Sequence, residues 1–250
     1  MNRSAALTPL VALALLTPPA SAVGGGGARA GDVWHFEFTP YLWFPNISGT
    51  IATDPLPRAT FESPDLGLLD NVDFATSATF TARDDAWVVL SDVSYTKLGL
   101  NESISGSELS VDSAVYWAML AGGHSVVAGP AGRVDAFGGV RYTFLDGDVE
   151  STGGVSGSKR DNQDWLDPLV GFEAIGKIAD RWSLGLLADV GGFGVGSDFA
   201  YEIWPSVSWT YNEIITLHAG YRLLSMDFKR GDVEYDVSEA GWIVGFGLSF

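Results

Sequence analysis

Six ionisable side chains that could form ion pairs fall on one face of successive alternating segments of the chain. They are Arg141, Asp167, Asp189, Glu202, Arg222 and Glu239. All six lie opposite the large apolar residues of their segments and towards the same end. Because buried charges are costly unless they are paired, the set predicts a salt-bridged plug layer inside a narrow barrel. The same residues also fit a selectivity ring for a small solute, with Arg141 and Arg222 facing carboxylates across a constriction.

Hydrolysis is the alternative chemistry that the sequence offers. Ser206 and His218 share a face of two consecutive segments, and Glu202 lies farther along the first of them. A nucleophile, a base and an orienting group in contact could hydrolyse a lipid or a peptide. The pair nevertheless lies in the inner half of the barrel, away from the surface where those substrates would arrive. We therefore expect no catalytic residues, and an outer-membrane hydrolase stays as the alternative.

Metal and cofactor sites have weaker support. Asp146 and Asp148, or Asp164 and Asp167, could collect a hard cation such as calcium, but they lack a defined series of ligands. The glycine-rich stretch 191–196 lacks the strand–loop–helix context and the basic partner of a phosphate loop. The chain contains no cysteine, which excludes disulfides, thiolate metal sites and a lipoprotein anchor. We expect no metal and no cofactor.

The elements that position these residues alternate between apolar and polar residues with a period of two, which predicts strands. We predict about ten, each long enough to cross a membrane at a tilt. Their approximate ranges are 34–43, 73–83, 86–97, 109–123, 133–145, 163–176, 182–195, 199–210, 214–226 and 236–250. Residues 50–52 and 59–61 could extend or add strands, so twelve is the alternative.

The connections alternate in length, which is a second sign of a transmembrane barrel. Short turns are predicted near residues 83–85, 129–132, 179–181 and 211–213. Longer polar loops are predicted at 44–72, 98–108, 146–162 and 227–235, with a short link near 194–198 as the exception. Short turns then face the periplasm and long loops face outwards. An even number of strands places both ends of the barrel in the periplasm.

The two faces of the strands differ in chemistry. The inward face collects Glu37, Asp92, Asp112, Asp135, Arg141, Asp167, Glu173, Asp189, Glu202, His218, Arg222 and Glu239. The outward face is apolar and, in the fourth segment, is predicted to include Val115 and Trp117. Tryptophan and tyrosine lie mostly near segment ends, as interfacial girdles require. A soluble lipocalin-like barrel that binds a ligand is the alternative, with the charged face turned to water.

The final segment alternates large apolar residues with mostly small ones. Trp242, Val244, Phe246, Leu248 and Phe250 form its outward row. This row resembles the C-terminal signal that outer-membrane barrels present to the assembly machinery of Gram-negative bacteria. We therefore expect the barrel-assembly machinery and periplasmic chaperones as partners during biogenesis, and outer-membrane lipid and lipopolysaccharide as lasting neighbours. The oligomeric state stays open.

The chain divides into three parts. Residues 1–22 have the short positive start, apolar stretch and small-residue cleavage site of a secretory signal peptide. Residues 23–33 form a flexible glycine-rich leader, and residues 34–250 form the barrel. The formal net charge of −17 argues against binding to nucleic acid, whose phosphates need a basic surface.

Several stretches together resemble an uncharacterised family of Gram-negative outer-membrane β-barrel proteins. They are residues 39–43, 47–50, 68–74, 164–171, 189–198, 220–222 and 235–237, followed by the aromatic end of the chain. The resemblance implies an all-β, antiparallel transmembrane barrel in the bacterial outer membrane. It implies no substrate or reaction. The expected role is that of a structural or surface barrel, or a narrow pore for small solutes.

Overall fold

A computed structural model describes residues 33–53, 59–62, 72–104, 107–153, 157–231 and 233–250. The predicted signal peptide, and all of the predicted leader except Val33, lie outside these residues. Within the described ranges, no helix is long and apolar enough to cross a membrane.

Eleven strands make up the described part of the chain. They are β1 (His35–Thr53), β2 (Ala59–Glu62), β3 (Val72–Arg83), β4 (Trp87–Ile104), β5 (Ser107–Gly129), β6 (Gly132–Gly153), β7 (Gly157–Ala179), β8 (Trp182–Gly191), β9 (Phe199–Thr210), β10 (Ile215–Arg230) and β11 (Val233–Ser249). Each run is long enough to cross a bilayer at a tilt except β2.

The strands form one closed antiparallel barrel. From β3 to β11 each strand pairs with its neighbour in the chain. β1 pairs with β3 on one side and with β11 on the other, which completes a ring of ten. Backbone bonds of 3.2 and 3.0 Å between Phe36 and Phe250 fasten this seam. The four-residue β2 pairs with residues 48–51 of β1, so residues 50–52 extend β1 and residues 59–61 belong to an added short strand. The prediction of ten barrel strands is confirmed.

The two ends of the barrel differ. One end, called the turn end below, carries the short connections 84–86, 130–131, 180–181 and 211–214 together with both ends of the barrel. At the opposite end, called the hairpin end, β4 with β5 and β6 with β7 form long hairpins. The segments predicted as loops at 98–108, 146–162 and 227–235 are mostly strand. Each is extended by backbone pairing with its hairpin partner, which does not require an apolar face and so leaves little trace in the sequence pattern.

Large apolar side chains cover the outside of the barrel. Among the most exposed are Trp87, Leu120, Val170, Leu184, Tyr211 and Trp242. Aromatic residues gather near both margins of this belt, in the two girdles typical of membrane barrels. All five residues of the predicted C-terminal row, Trp242, Val244, Phe246, Leu248 and Phe250, face outwards. A soluble barrel with its charged face turned to water is therefore excluded.

The predicted direction of two side chains is wrong. Val115 and Trp117 point into the barrel and are only 2% and 3% exposed. Both rows of β5 carry apolar residues, so periodicity could not choose between them. Pairing decides it, because Ser94 of β4 lies opposite Trp117, and Asp92, which points inwards, lies opposite Met119. The side chain of Asp112, predicted to point inwards, lies outside the described residues.

Candidate functional site

All six predicted ionisable residues lie inside the barrel, on six successive strands. Arg141, Asp167 and Arg222 are fully buried, and Asp189, Glu202 and Glu239 are at most 4% exposed. Neighbours face each other directly across the sheet at Arg141 and Asp167, and at Asp189 and Glu202. Alternation within each strand and this cross-strand register together bring the residues to similar heights.

Arg222 is the centre of the cluster. Its guanidinium lies 2.9 Å from Asp92 and 2.7 Å from Glu202, and it donates a hydrogen bond of 2.6 Å to the Tyr41 hydroxyl. Tyr41 in turn donates to the second oxygen of Asp92 at 2.8 Å. Arg222 therefore ties β1, β4 and β9 to β10 across the lumen. Asp92 and Tyr41 were not among the predicted site residues.

Arg141 forms the second half of the cluster. Its Nη2 donates to both carboxylate oxygens of Asp189, at 3.1 and 3.0 Å, and to Glu202 at 2.7 Å. Glu202 thus bridges the two arginines. Arg141, Asp189, Glu202, Arg222, Asp92 and Tyr41 form what we call the ionic layer.

Tryptophans enclose the ionic layer. The Arg222 guanidinium lies 4.4 Å from the ring centre of Trp117, 5.0 Å from Trp204 and 5.1 Å from Trp43. Such cation–π contacts are strongest where the cation is desolvated. Sequence reasoning missed these rings, although Trp204 shares its row with Glu202 and Trp43 shares its row with Tyr41. In a strand, residues two apart point to the same side, so the polar residue in each row could have indicated that these tryptophans point inwards.

Asp167 and Glu239 flank the ionic layer without joining it. Asp167 accepts hydrogen bonds from the Trp165 indole at 3.1 Å and from the backbone of Ser197 at 2.6 Å. Glu239 accepts a long hydrogen bond of 3.5 Å from Tyr235. These two carboxyls are held by neutral donors, and Asp167 anchors the connection between β8 and β9.

Above the ionic layer, towards the hairpin end, the lumen is filled with apolar side chains. Trp165 stacks on Phe228 with ring centres 4.0 Å apart, and Tyr235 packs against the same tryptophan. Leu224, Met226 and Val237 are at most 1% exposed, as are Phe228 and Tyr235. The barrel therefore contains a dry core above its charged residues.

Below the ionic layer, towards the turn end, there is a cavity of about 140 Å³. Its lining includes Glu37, Thr79, Thr81, Ser206 and His218, with Tyr41 and Asp92 at its upper boundary. Closer to the turn end, Arg83 pairs with Glu173 at 3.0 Å and Arg133 pairs with Asp135 at 2.9 Å. The cavity thus has a mixed lining, in which these hydroxyl and carboxylate groups stand among apolar side chains such as Leu90, Met119 and Leu187.

The predicted contact between Ser206 and His218 does not form. His218 Nδ1 instead lies 2.9 Å from the Ser208 hydroxyl, directly across the sheet. Its Nε2 lies 3.5 Å from Glu37, where Gly247 leaves the room that a Cβ atom would take. Ser208 and His218 are therefore hydrogen-bonded, and the Glu37 carboxylate lies near the second ring nitrogen without a hydrogen bond to it. Glu202 takes no part, because it belongs to the ionic layer.

The aspartate pair Asp164 and Asp167, considered above as a possible calcium site, does not come together. Asp164 is exposed, whereas Asp167 points into the lumen and is fully buried. The side chain of Asp148 lies outside the described residues. Among the described side chains, no group of three or more histidine, aspartate or glutamate residues is arranged to hold a metal ion.

Comparisons with known proteins support the fold. No protein-family model and no curated protein matches the chain. Among solved structures, the outer membrane protease OmpT from Escherichia coli matches with a TM-score of 0.51 and 7% identity, over 89% of this chain and 99% of that one. The translocator domain of the autotransporter NalP from Neisseria meningitidis matches with a TM-score of 0.44 and 14% identity, over 92% and 90%. Neisserial surface protein A matches with a TM-score of 0.37 and 13% identity, over 89% and 100%.

The match to OmpT concerns the fold alone at this identity. Together with the apolar belt, the match confirms the predicted outer-membrane β-barrel. The predicted location in the bacterial outer membrane agrees with both observations. In such barrels short turns face the periplasm and long hairpins face the exterior. The turn end is accordingly the periplasmic end.

Proposed function

We propose that this protein is a closed barrel of the outer membrane, without a conducting pore, whose function lies in the hairpins that it presents at the cell surface. The ionic layer carries this proposal. Two arginines and three carboxylates, joined across the lumen and enclosed by three tryptophans, occupy the cross-section where a selectivity ring would need water.

Burial of the side chains supports a plug over a selectivity ring. Ring residues in a pore face a water-filled lumen. Here Arg141, Thr143 and Arg222 are 0% exposed, and the side chains of the apolar core above them are buried to the same degree. A solute would have to displace two successive layers of different chemistry.

Unequal wall heights support a role at the surface. β5 has 23 residues, which corresponds to roughly 55 Å of height at about 3.3 Å per residue and a tilt of about 40°. That is about twice the height of the apolar band of such barrels, about 25 Å. Strands β4 to β7 therefore raise a wall well above the membrane, and β8 and β9 do not.

Conductance across a planar bilayer tests the proposal. Folded wild-type protein, identified by its heat-modifiable gel mobility, should insert without producing current steps. A known porin reconstituted in the same bilayers confirms that currents can be detected. Steady current from the wild type, with ion preference altered by Arg141→Gln or Arg222→Gln, would establish the selectivity ring instead.

A specific observation favours hydrolysis as a second candidate function. Ser208, His218 and Glu37 form a continuous row along the periplasmic cavity. In that arrangement the Ser208 hydroxyl attacks the carbonyl carbon of a small ester and passes its proton to His218 Nδ1. The Glu37 carboxylate, 3.5 Å from the other ring nitrogen, offsets the positive charge that the ring gains. His218 then returns the proton to the leaving alcohol, and water releases the acyl group from Ser208.

A fluorophosphonate probe distinguishes this reaction from a purely structural hydrogen-bonded row. The hydrolytic candidate requires a covalent adduct on Ser208, lost in Ser208→Ala and His218→Ala. Ser206→Ala is the matched control, since Ser206 lines the same cavity without contacting His218. If the folded wild type gains no adduct, the hydrolytic candidate is rejected, and the closed-barrel proposal is unaffected.

A further inference from the structure

The connection between β8 and β9, residues 192–198, has an unusual backbone. Gly192, Phe193 and Gly194 all have positive φ angles, of 84°, 51° and 73°. Phe193 is the only residue other than glycine in this conformation among the described residues. The left-handed region is unfavourable for a bulky side chain, so the surrounding structure must impose it.

Hydrogen bonds fix this loop from within. Gly194 donates to the carbonyl of Ser197 at 3.0 Å, and Val195 donates to the carbonyl of Gly192 at 2.9 Å. The backbone of Ser197 donates to the buried carboxylate of Asp167 at 2.6 Å. The loop is therefore a preformed structure anchored to the inside of the barrel.

The loop exposes apolar side chains that continue the lipid-facing belt. Phe193 and Val195 are 54% and 67% exposed. Val190 at the end of β8 and Phe199 at the start of β9 are outward belt residues, 39% and 48% exposed. We call these four exposed apolar residues, in the loop and at the strand ends that it joins, the β8–β9 tip.

The height of the tip can be worked out from the strands below it. On β8 the outward residues run over eight positions from Trp182 to Val190, which spans roughly 20 Å at about 3.3 Å per residue and a tilt of about 40°. On β9 they run over ten positions from Trp209 to Phe199, or roughly 25 Å by the same geometry. The apolar band of an outer-membrane barrel is about 25 Å tall. The tip thus lies at the outer margin of the hydrocarbon, where the residue opposite Phe199 on β10 is already the charged Asp227.

We propose that the β8–β9 tip binds lipid of the outer leaflet, with Phe193 and Val195 inserted among the acyl chains next to the head groups. The occupant is lipid because the tip continues the belt that lipid already covers and lies at the depth where that belt ends. Since the loop is preformed, binding requires little further ordering of the chain. The tip fixes the depth of the short side of the barrel, and the tall side stands free in water.

Site-specific fluorescence tests this proposal directly, because the chain contains no cysteine. Phe193→Cys and Val195→Cys, each labelled with an environment-sensitive dye, are inserted into phosphatidylcholine vesicles with or without brominated phosphatidylcholine. Val190→Cys in the belt is the lipid-facing control, and Lys229→Cys on the β10–β11 hairpin is the water-facing control. Gel mobility confirms that each variant is folded.

The expected result is quenching by brominated lipid at residues 193 and 195 within about twofold of that at residue 190, and far above that at residue 229. Aqueous iodide should quench in the reverse order. Strong iodide quenching at residue 193, equal to that at residue 229, would overturn the proposal. Disulfide cross-linking between two Phe193→Cys chains at high lipid dilution would overturn it as well, by showing that a second copy covers the tip. Neither outcome depends on whether the lumen conducts.

Discussion

Replacing Arg222 by methionine should destabilise the barrel more than any other single change of charge in the described residues. Methionine keeps much of the apolar stem but removes two ion pairs, the bond to Tyr41 and the contacts with three tryptophans. Asp92 would keep only the Tyr41 hydroxyl, whereas Glu202 would keep Arg141. Removing one partner of a buried ion pair typically costs about 3–5 kcal/mol, because it leaves an uncompensated buried charge. We expect a loss of that size in the free energy of unfolding.

Urea unfolding of the folded protein in vesicles, followed by tryptophan fluorescence and by gel mobility, measures this loss. Arg222→Met combined with Asp92→Asn should recover about 1–3 kcal/mol, because the second change removes the stranded charge. Lys229→Met is the matched control on the same strand, since Lys229 is half-exposed and pairs with Asp227 at 3.2 Å. It should have little effect. A loss below about 1 kcal/mol for Arg222→Met, or no recovery in the double variant, would refute this account of the ionic layer.

Further predictions concern the core, the seam, a turn and the assembly signal. Trp165→Ala removes the stack on Phe228 and should cost about 3–5 kcal/mol of unfolding free energy in the same urea assay, well above the lipid-facing change Phe199→Ala. Gly241→Ala should prevent closure of the barrel and the heat-modifiable band, because its Cβ would collide with the backbone of Phe44 and Pro45, whereas Gly122→Ala meets nothing and should fold normally. At the periplasmic turn, hydrogen bonds from the backbone of Trp87 and Ala86 hold the pKa of Asp84 below its ordinary value of 3.8. The ionised carboxylate therefore stabilises the folded state above that pH, and Asp84→Ala should be less stable than the wild type at neutral pH. The difference in stability should fade as the pH falls below the ordinary range of aspartate. A difference that stays constant with pH would contradict this prediction. Phe250→Ser should slow insertion into vesicles that contain the barrel-assembly machinery, with Phe199→Ser as the control; equal rates would contradict the role assigned to the C-terminal row.

Alternation predicted the faces of the barrel well because lipid tolerates so few polar residues. The row from Trp242 to Phe250 and the six buried ionisable residues were both assigned correctly to their sides of the wall. The prediction failed at Val115 and Trp117, where the other row of β5 also carries apolar residues and only cross-strand pairing decides the direction. It also stopped the long strands too early, since beyond the membrane nothing in the sequence distinguishes a hairpin from a loop.

The contents of the site were harder to predict than its location. Long-range contacts such as that of Arg222 with Tyr41 depend on how ten strands close and stagger, and no local pattern encodes that. The same limit applies to His218, which pairs with Ser208 although Ser206 lies on the same row. Periodicity cannot tell which of two residues on the same row, such as Ser206 and Ser208, contacts a given residue of the next strand. The register between the two strands decides it.

The unequal heights of the wall and the closed lumen together constrain where this protein can act. If the ionic layer and the apolar core plug the barrel as proposed, a solute that enters the periplasmic cavity stops at Tyr41 and Asp92. The opposite face offers the tall wall of β4 to β7 on one side and, at the β8–β9 tip, a surface level with the lipid on the other. Because the plug ties β1, β4, β6, β8, β9 and β10 together, the low and high sides cannot shift independently without breaking its ion pairs. Under the closed-barrel proposal, a partner that binds the tall hairpins therefore meets a wall whose height above the membrane is fixed by the ion pairs inside the barrel.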